Sequence, residues 1–114
     1  MRDLVHVDDI FSLIDRQLSM MHKVNGKVYN IGGGREVSLS LRETTALCEK
    51  ITGNTISIGE VAGNRPGDIS IYLTDSSRAL QELGWKPRMS AVKILEDTYR
   101  WVRENEQQVR QALL

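Results

Sequence analysis

A chain of 114 residues, 40% hydrophobic and 26% charged, suits one soluble globular domain with a single core, and it excludes a disordered or membrane-spanning class. Fifteen basic and fifteen acidic residues cancel, so no summed field draws the protein to nucleic acid or an anionic membrane, and any anion has to be held by a local site. The lone Cys48 excludes an internal disulfide, no apolar run approaches the ~20 residues of a membrane helix, and no signal-peptide stretch follows Met1-Arg2-Asp3; the chain reads as cytoplasmic.

Leu4, Val5 and Val7 around His6 predict a short buried strand, after which Asp8 or Asp9 offers a carboxylate to cap a helix. Phe11, Ile14, Leu18 and Met21 recur on one face of that helix, which therefore needs a partner surface, and Asn25-Gly26 ends it. Val28-Tyr29-Asn30-Ile31 predicts a strand running into Gly32-Gly33-Gly34, a stretch suited to a tight loop or a close backbone approach. Ser40 with Glu43 is a capping-box pattern, and Leu41, Thr44, Cys48 and Ile51 line one face of the helix it opens, stopped by Gly53. Thr55 to Val61 predicts a further strand. The turn Gly63-Asn64-Arg65-Pro66-Gly67-Asp68 follows, and Ile69, Ile71 and Leu73 then alternate with Ser70, Tyr72 and Thr74. Asp75 or Ser76 caps a short helix carrying Leu80 and Leu83 and closed by Gly84. Ser90 caps a longer one whose buried face is Val92, Leu95, Tyr99 and Val102, and a polar C-terminus continues from it.

Arg65-Pro66-Gly67-Asp68 is the most suggestive local feature. A guanidinium and a carboxylate on one rigid turn can fork onto a diphosphate and accept from ribose hydroxyls; they can equally form a plain surface ion pair. Arg2, ahead of an apolar strand, is either a second phosphate ligand or simply solvated. His6 lacks a nucleophile or metal-ligand pattern around it and reads as a packed, hydrogen-bonded histidine. The glycine triplet is followed by neither Gly-Lys-Ser/Thr nor the third glycine of a dinucleotide fingerprint. Cys48, Trp85 and Trp101 read as core.

Taken in order, Arg2-Asp3-Leu4-Val5-His6-Val7-Asp8-Asp9, Tyr29-Asn30-Ile31-Gly32, Arg65-Pro66-Gly67-Asp68, Tyr72, Asp75 and Leu83-Gly84-Trp85-x-Pro87 resemble the C-terminal third of the extended short-chain dehydrogenases/reductases, the NAD-dependent nucleotide-sugar epimerases and dehydratases. The resemblance covers essentially all of residues 1–114 as one substrate-side domain. Within the family, Asn30-Ile31-Gly32-Gly33, Ser38-Leu39-Ser40-Leu41 and Arg65-Pro66-Gly67-Asp68 look most like the CDP-paratose (CDP-tyvelose) 2-epimerase branch, although Ile69 stands where that branch often carries a polar residue.

The resemblance implies an α/β fold of about four helices with short strands, lacking the Rossmann core. It implies that Arg2 and Arg65 contact a nucleotide diphosphate, that Asp68 contacts ribose, and that Tyr72 approaches the sugar of a CDP- or UDP-linked substrate. The family oxidises and re-reduces its sugar with NAD, but its Gly-x-x-Gly-x-x-Gly loop and Tyr-x-x-x-Lys pair are absent here. The expectation is therefore a substrate-gripping portion that binds no cofactor alone and is not catalytically competent. The helix after Asp9 and the strand Val28 to Ile31 would ordinarily pack on the Rossmann sheet. Phe11, Ile14, Leu18, Met21, Val28 and Ile31 should then form an exposed apolar patch with an open strand edge, covered in a homo-oligomer or by a separate Rossmann chain. The alternative is a non-enzymatic interaction module that uses the same surface.

Overall fold

The computed structural model describes residues 1–59, 63 and 66–113. Along the chain, β1 (Arg2–Asp3) leads into α1 (Val7–Ser19) and α2 (Met21–Val24); β2 (Ser38–Leu39), α3 (Leu41–Thr52), α4 (Ser77–Leu83), α5 (Ala91–Glu104) and α6 (Glu106–Leu113) follow. The expected helices are α1, α3, α4 and α5, and the polar C-terminus adds α6. β1 and β2 pair antiparallel, with Arg2 opposite Leu39 and Asp3 opposite Ser38.

Local sequence chemistry sets most helix boundaries. Ser40 and Glu43 close a reciprocal capping box at the start of α3: the Ser40 amide donates to Glu43 Oε2 at 2.7 Å and the Glu43 amide to Ser40 Oγ at 3.2 Å. Gly53 at φ 71° and Gly84 at φ 63° terminate α3 and α4 in the left-handed region that glycine enters without a Cβ penalty. Ser90 Oγ accepts from the Lys93 amide at 3.2 Å and opens α5. At α4 the N-cap Ser76 makes no capping bond with its side chain, and Asp75, one residue before it, accepts the Ser77 amide on Oδ1 at 2.9 Å.

The first cap departs from expectation. His6 supplies it, its Nδ1 accepting from the Asp8 amide at 3.1 Å, so Asp8 and Asp9 fall inside the first turn of α1. The expected strand at Leu4 to Val7 shifts back to Arg2–Asp3, and Val7 becomes the first residue of α1. Asp9 is then free for another task. It is buried, and its two carboxylate oxygens accept from the amides of Arg88 and Met89, each at 3.1 Å. An ionised carboxylate tolerates burial when backbone N–H groups replace its water.

That link seals the core. Leu13, Val24, Ala79, Leu83 and Trp85 form the buried cluster, with Val5, Met20, Tyr29 and Ile31 packed against it. Trp85, 1% exposed, buries its whole indole because Nε1 donates to the Asp9 carbonyl at 2.9 Å and lies 3.1 Å from Ser12 Oγ. The core thus joins the inner side of α1 to α4 and the segment after it.

The outer side of α1 is bare. Phe11 is 70% and Leu18 64% exposed, Ile14 and Met21 are also exposed, and Val28 reaches 78%; Ile31, expected on this patch, is instead half-buried against the core. Among the described residues, Val28 to Ile31, residues 55–59 and residues 69–73 form no strand ladder beyond one bridge at Tyr72, which corrects three strand expectations. Val61, the expected end of the second of these, lies outside the described residues. A strand exists only where a neighbour supplies hydrogen bonds: among the described residues, 28–31 and 55–59 have no backbone partner, and 69–73 meet β1 only at Tyr72. Trp101, expected in the core, is 57% exposed. α5 packs on α3, where Val92 and Tyr99 line a hollow together with Leu47 and Ile51, and two residues beyond Tyr99 Trp101 points about 200° round the helix. Leu41 is likewise exposed rather than part of the α3 contact face, whereas Cys48 is half-buried there.

Candidate functional site

β1 runs between two neighbours. On one side is β2; on the other, residues 70–74 approach in parallel, bridged at Arg2 and Tyr72. The Tyr72 amide donates to the Met1 carbonyl at 3.0 Å, and the Asp3 amide to the Tyr72 carbonyl at 3.3 Å. This pairing sets Tyr72 beside Arg2. The turn at Pro66-Gly67, with Gly67 at φ 79°, carries Asp68 back to the same place, where its Oδ1 lies 3.0 Å from Arg2 Nη2.

Three of the four residues expected to grip the substrate therefore converge, although 66 and 70 residues separate Asp68 and Tyr72 from Arg2 in the sequence. The fourth, Arg65, lies outside the described residues. Beside Arg2 and Asp68 is a shallow hollow of about 260 Å³ whose walls include Leu39, Leu41 and Ile69. Both members of the ion pair are solvent-exposed, so their mutual attraction is weak and a ligand can part them. A freed guanidinium presents parallel N–H donors to a diphosphate, and the carboxylate accepts from vicinal hydroxyls.

Behind this surface lies a polar hub that sequence reasoning passed over. Asp3 Oδ2 accepts from the Gly34 amide at 3.0 Å and from the Thr74 amide at 3.2 Å, while Ser76 Oγ accepts from the Gly32 amide at 3.1 Å. Partial burial pushes the Asp3 carboxyl up, but the bonds from Gly34 and Thr74 outweigh it and hold the group below its ordinary value. The available signal was an acid next to an expected ligand, together with a glycine run too short to cradle phosphate.

The hub also explains the glycine triplet. A Cβ on Gly32 would overlap Asp3 Oδ2 and Thr74, and one on Gly33 would overlap the Leu4 carbonyl. The glycines permit close backbone approach. A dinucleotide does not fit here, because the Gly32 and Gly34 amides are already committed to Ser76 and Asp3, and the Asp3 charge repels phosphate.

His6 is packed, as expected. Its Nδ1 caps α1, and its Nε2 lies 3.4 Å from Asp97 Oδ2. Asp97 is itself held below the ordinary carboxylate range, chiefly by the Lys93 ammonium bonded at 2.8 Å, and it also pairs with Arg100. On α4, Glu82 draws Lys27, Tyr29 and Arg78 onto one carboxylate at 2.8, 2.7 and 2.9 Å, tying the segment after α2 to α4. Among the described residues no cluster of His, Cys, Asp or Glu suits a metal ion, and no helix is long and apolar enough to cross a membrane.

No protein-family model matches the chain. Its sequence is similar to UDP-glucose 4-epimerases: it is 32% identical to one from Oryza sativa subsp. japonica over 111 residues, covering 91% of this chain and 30% of that one, and 31% identical to that of Yersinia pestis, covering 93% and 31%. Its fold is similar to the UDP-glucose 4-epimerase of Stenotrophomonas maltophila solved with NAD and a formylated UDP-arabinopyranose, at TM-score 0.79 and 30% identity, covering 94% of this chain and 31% of that one. The Bifidobacterium longum enzyme, solved with NAD+ and UDP, superposes at TM-score 0.75 and 29% identity over 92% of this chain and 30% of its own. The chain thus spans about 30% of the length of these relatives, and its fold is that of the C-terminal portion of extended short-chain dehydrogenase/reductase epimerases.

Proposed function

We propose that this chain is the nucleotide-sugar-gripping portion of an NAD-dependent sugar epimerase. The observation that carries the reading is the convergence of Arg2, Asp68 and Tyr72 on one exposed edge, in a chain whose relatives include epimerases solved with UDP or a UDP-sugar. Arg2 and Arg65 hold the diphosphate, Asp68 takes the ribose hydroxyls and Tyr72 faces the sugar. These residues supply grip and orientation, while hydride chemistry belongs to NAD held elsewhere in such enzymes. Without the dinucleotide loop and the Tyr-x-x-x-Lys pair, these residues alone are not catalytically competent. A cytoplasmic setting goes with this reading, as the free thiol of Cys48 suits a reducing compartment.

The nucleotide we favour is uridine diphosphate, since the relatives are UDP-glucose 4-epimerases. The CDP-linked hexose of the 2-epimerase branch is the competing ligand. Titrating labelled protein with UDP-glucose and with a CDP-hexose separates them: the expected result is movement of the Arg2, Arg65, Asp68 and Tyr72 signals, larger with UDP-glucose, and its loss in Arg2→Ala. Silence at those signals with both ligands sinks the assignment. Affinity should be weak, because much of the cleft is absent from these residues.

A second reading rests on the bare outer side of α1. Phe11, Ile14 and Leu18 on α1, with the exposed Met21 and Val28 that follow it in the chain, suit an interaction module or a homo-oligomer that covers them, or a separate Rossmann chain seated there. Light scattering at high micromolar concentration decides whether the chain self-associates; a monodisperse monomer eliminates the homo-oligomer.

A further inference from the structure

The gripping residues sit on an edge with little burial beneath them. Arg2, Asp68 and residues 69–73 are all exposed, and the two main-chain bonds that join Tyr72 to Met1 and Asp3 run between exposed or half-buried residues. Exposed ladder bonds of this kind open easily, since water replaces them at small net cost. Something else has to hold Tyr72 beside Arg2.

Asp3 is placed to do so. It follows Arg2 on β1, so its side chain leaves the opposite face of the strand, away from the ligand edge. Its own amide donates to the Tyr72 carbonyl, and two residues further on its carboxylate takes the Thr74 amide at 3.2 Å. The same oxygen takes the Gly34 amide at 3.0 Å, and that loop is fixed in turn by the Ser76 hydroxyl on Gly32. One carboxylate therefore joins β1, the glycine loop and the segment carrying Tyr72. The missing Cβ of Gly32 leaves room for that oxygen.

We propose that Asp3 is the positioning residue of the ligand edge, fixing Tyr72 and, through the preceding turn, Asp68 against Arg2. The role of that edge as a nucleotide-sugar grip rests on the function proposed above; the positioning itself does not. Bonds from amides to an ionised carboxylate are about twice as strong as neutral ones, so Asn in its place keeps the shape and loses much of the hold.

The test compares the 114-residue chain with its Asp3→Asn variant by NMR, with UDP as the ligand, at a temperature where both are fully folded by circular dichroism. In the free protein, cross-strand contacts between Arg2 and Tyr72 should be strong in the parent and weak in Asp3→Asn, while helical signals of α3 and α5 stay in place. On acidification the Gly34 and Thr74 amides of the parent should shift together, with a midpoint below the ordinary carboxyl value of 3.8, and the variant should lack that step. UDP should bind Asp3→Asn about tenfold more weakly, the size of a lost charge-assisted hydrogen bond. A merely structural Asp3 would lower the melting temperature while leaving the affinity of folded protein and the Arg2–Tyr72 contacts unchanged, and that result overturns the inference. If the parent ignores UDP, the proposed function fails, and the Arg2–Tyr72 contacts alone then decide the positioning role.

Discussion

The apolar core, which is a second hub built around Trp85, and the edge around Arg2 hold their residues by opposite means. Trp85, Leu83, Ala79 and Leu13 are withdrawn from water and pack on one another, and the polar atoms among them are bonded to backbone. Arg2, Asp68 and Tyr72 stay in water and are placed by a few hydrogen bonds reaching across the chain. The difference teaches that stability and recognition are separable here. The hub determines whether the chain folds, while the edge keeps side chains whose present partners a ligand can displace.

The largest effect should come from the hub. Trp85→Ala removes its buried indole and leaves a cavity beside Asp9 and Ser12, whose carbonyl and hydroxyl still bond to each other at 2.8 Å, so urea unfolding should show a loss of about 3–5 kcal/mol. A loss under about 1 kcal/mol in the same measurement would place the stability elsewhere and break the comparison. Ser40→Ala, which uncaps the helix whose first turn borders the edge, should cost about 1 kcal/mol. Thermal melts of that variant should keep one cooperative transition. The smallest effect is an acid step at the Glu82 cluster, on the rim of the hub. The Lys27 ammonium, then the Tyr29 hydroxyl and Arg78, hold the Glu82 carboxyl down to about 2 against an ordinary 4.5. A depressed carboxyl gives stability that is complete above 4.5 and is lost as pH falls from there towards 2. Glu82→Gln should flatten that part of the stability profile and leave the neutral-pH edge untouched.

What was legible in the sequence was what is local. Ser40 with Glu43, Ser90, Gly53 and Gly84 act within a few residues of themselves, and all appear at the helix ends where they were expected. His6 reads as a packed histidine but not as the cap, because an imidazole is an unusual one, and two acids in a row, Asp8 and Asp9, look like the cap instead. The apolar runs at 28–31 and 69–73 have strand composition, but a ladder needs a neighbour that no run can specify alone. Trp101 reads as core by residue type alone, yet it lies off the periodic face of Val92 and Tyr99 that turns towards α3, and it is exposed. At the ligand edge, Arg2, Asp68 and Tyr72 were singled out by family resemblance. Asp3 carries no such mark, because its contribution lies in amides more than thirty and seventy residues away.

The carboxylate of Asp9 has a consequence for the order of events in folding. Its amides come from residues 88 and 89, and the indole that closes over it comes from residue 85. A ribosome therefore releases α1 long before anything exists to satisfy its buried acid or to cover Leu13. Closing so long a loop precedes the reward for closing it, which slows folding. Of the helices described, α1 emerges earliest yet is among the last to be locked in place, because its core closes only after α4 and the residues beyond it have emerged.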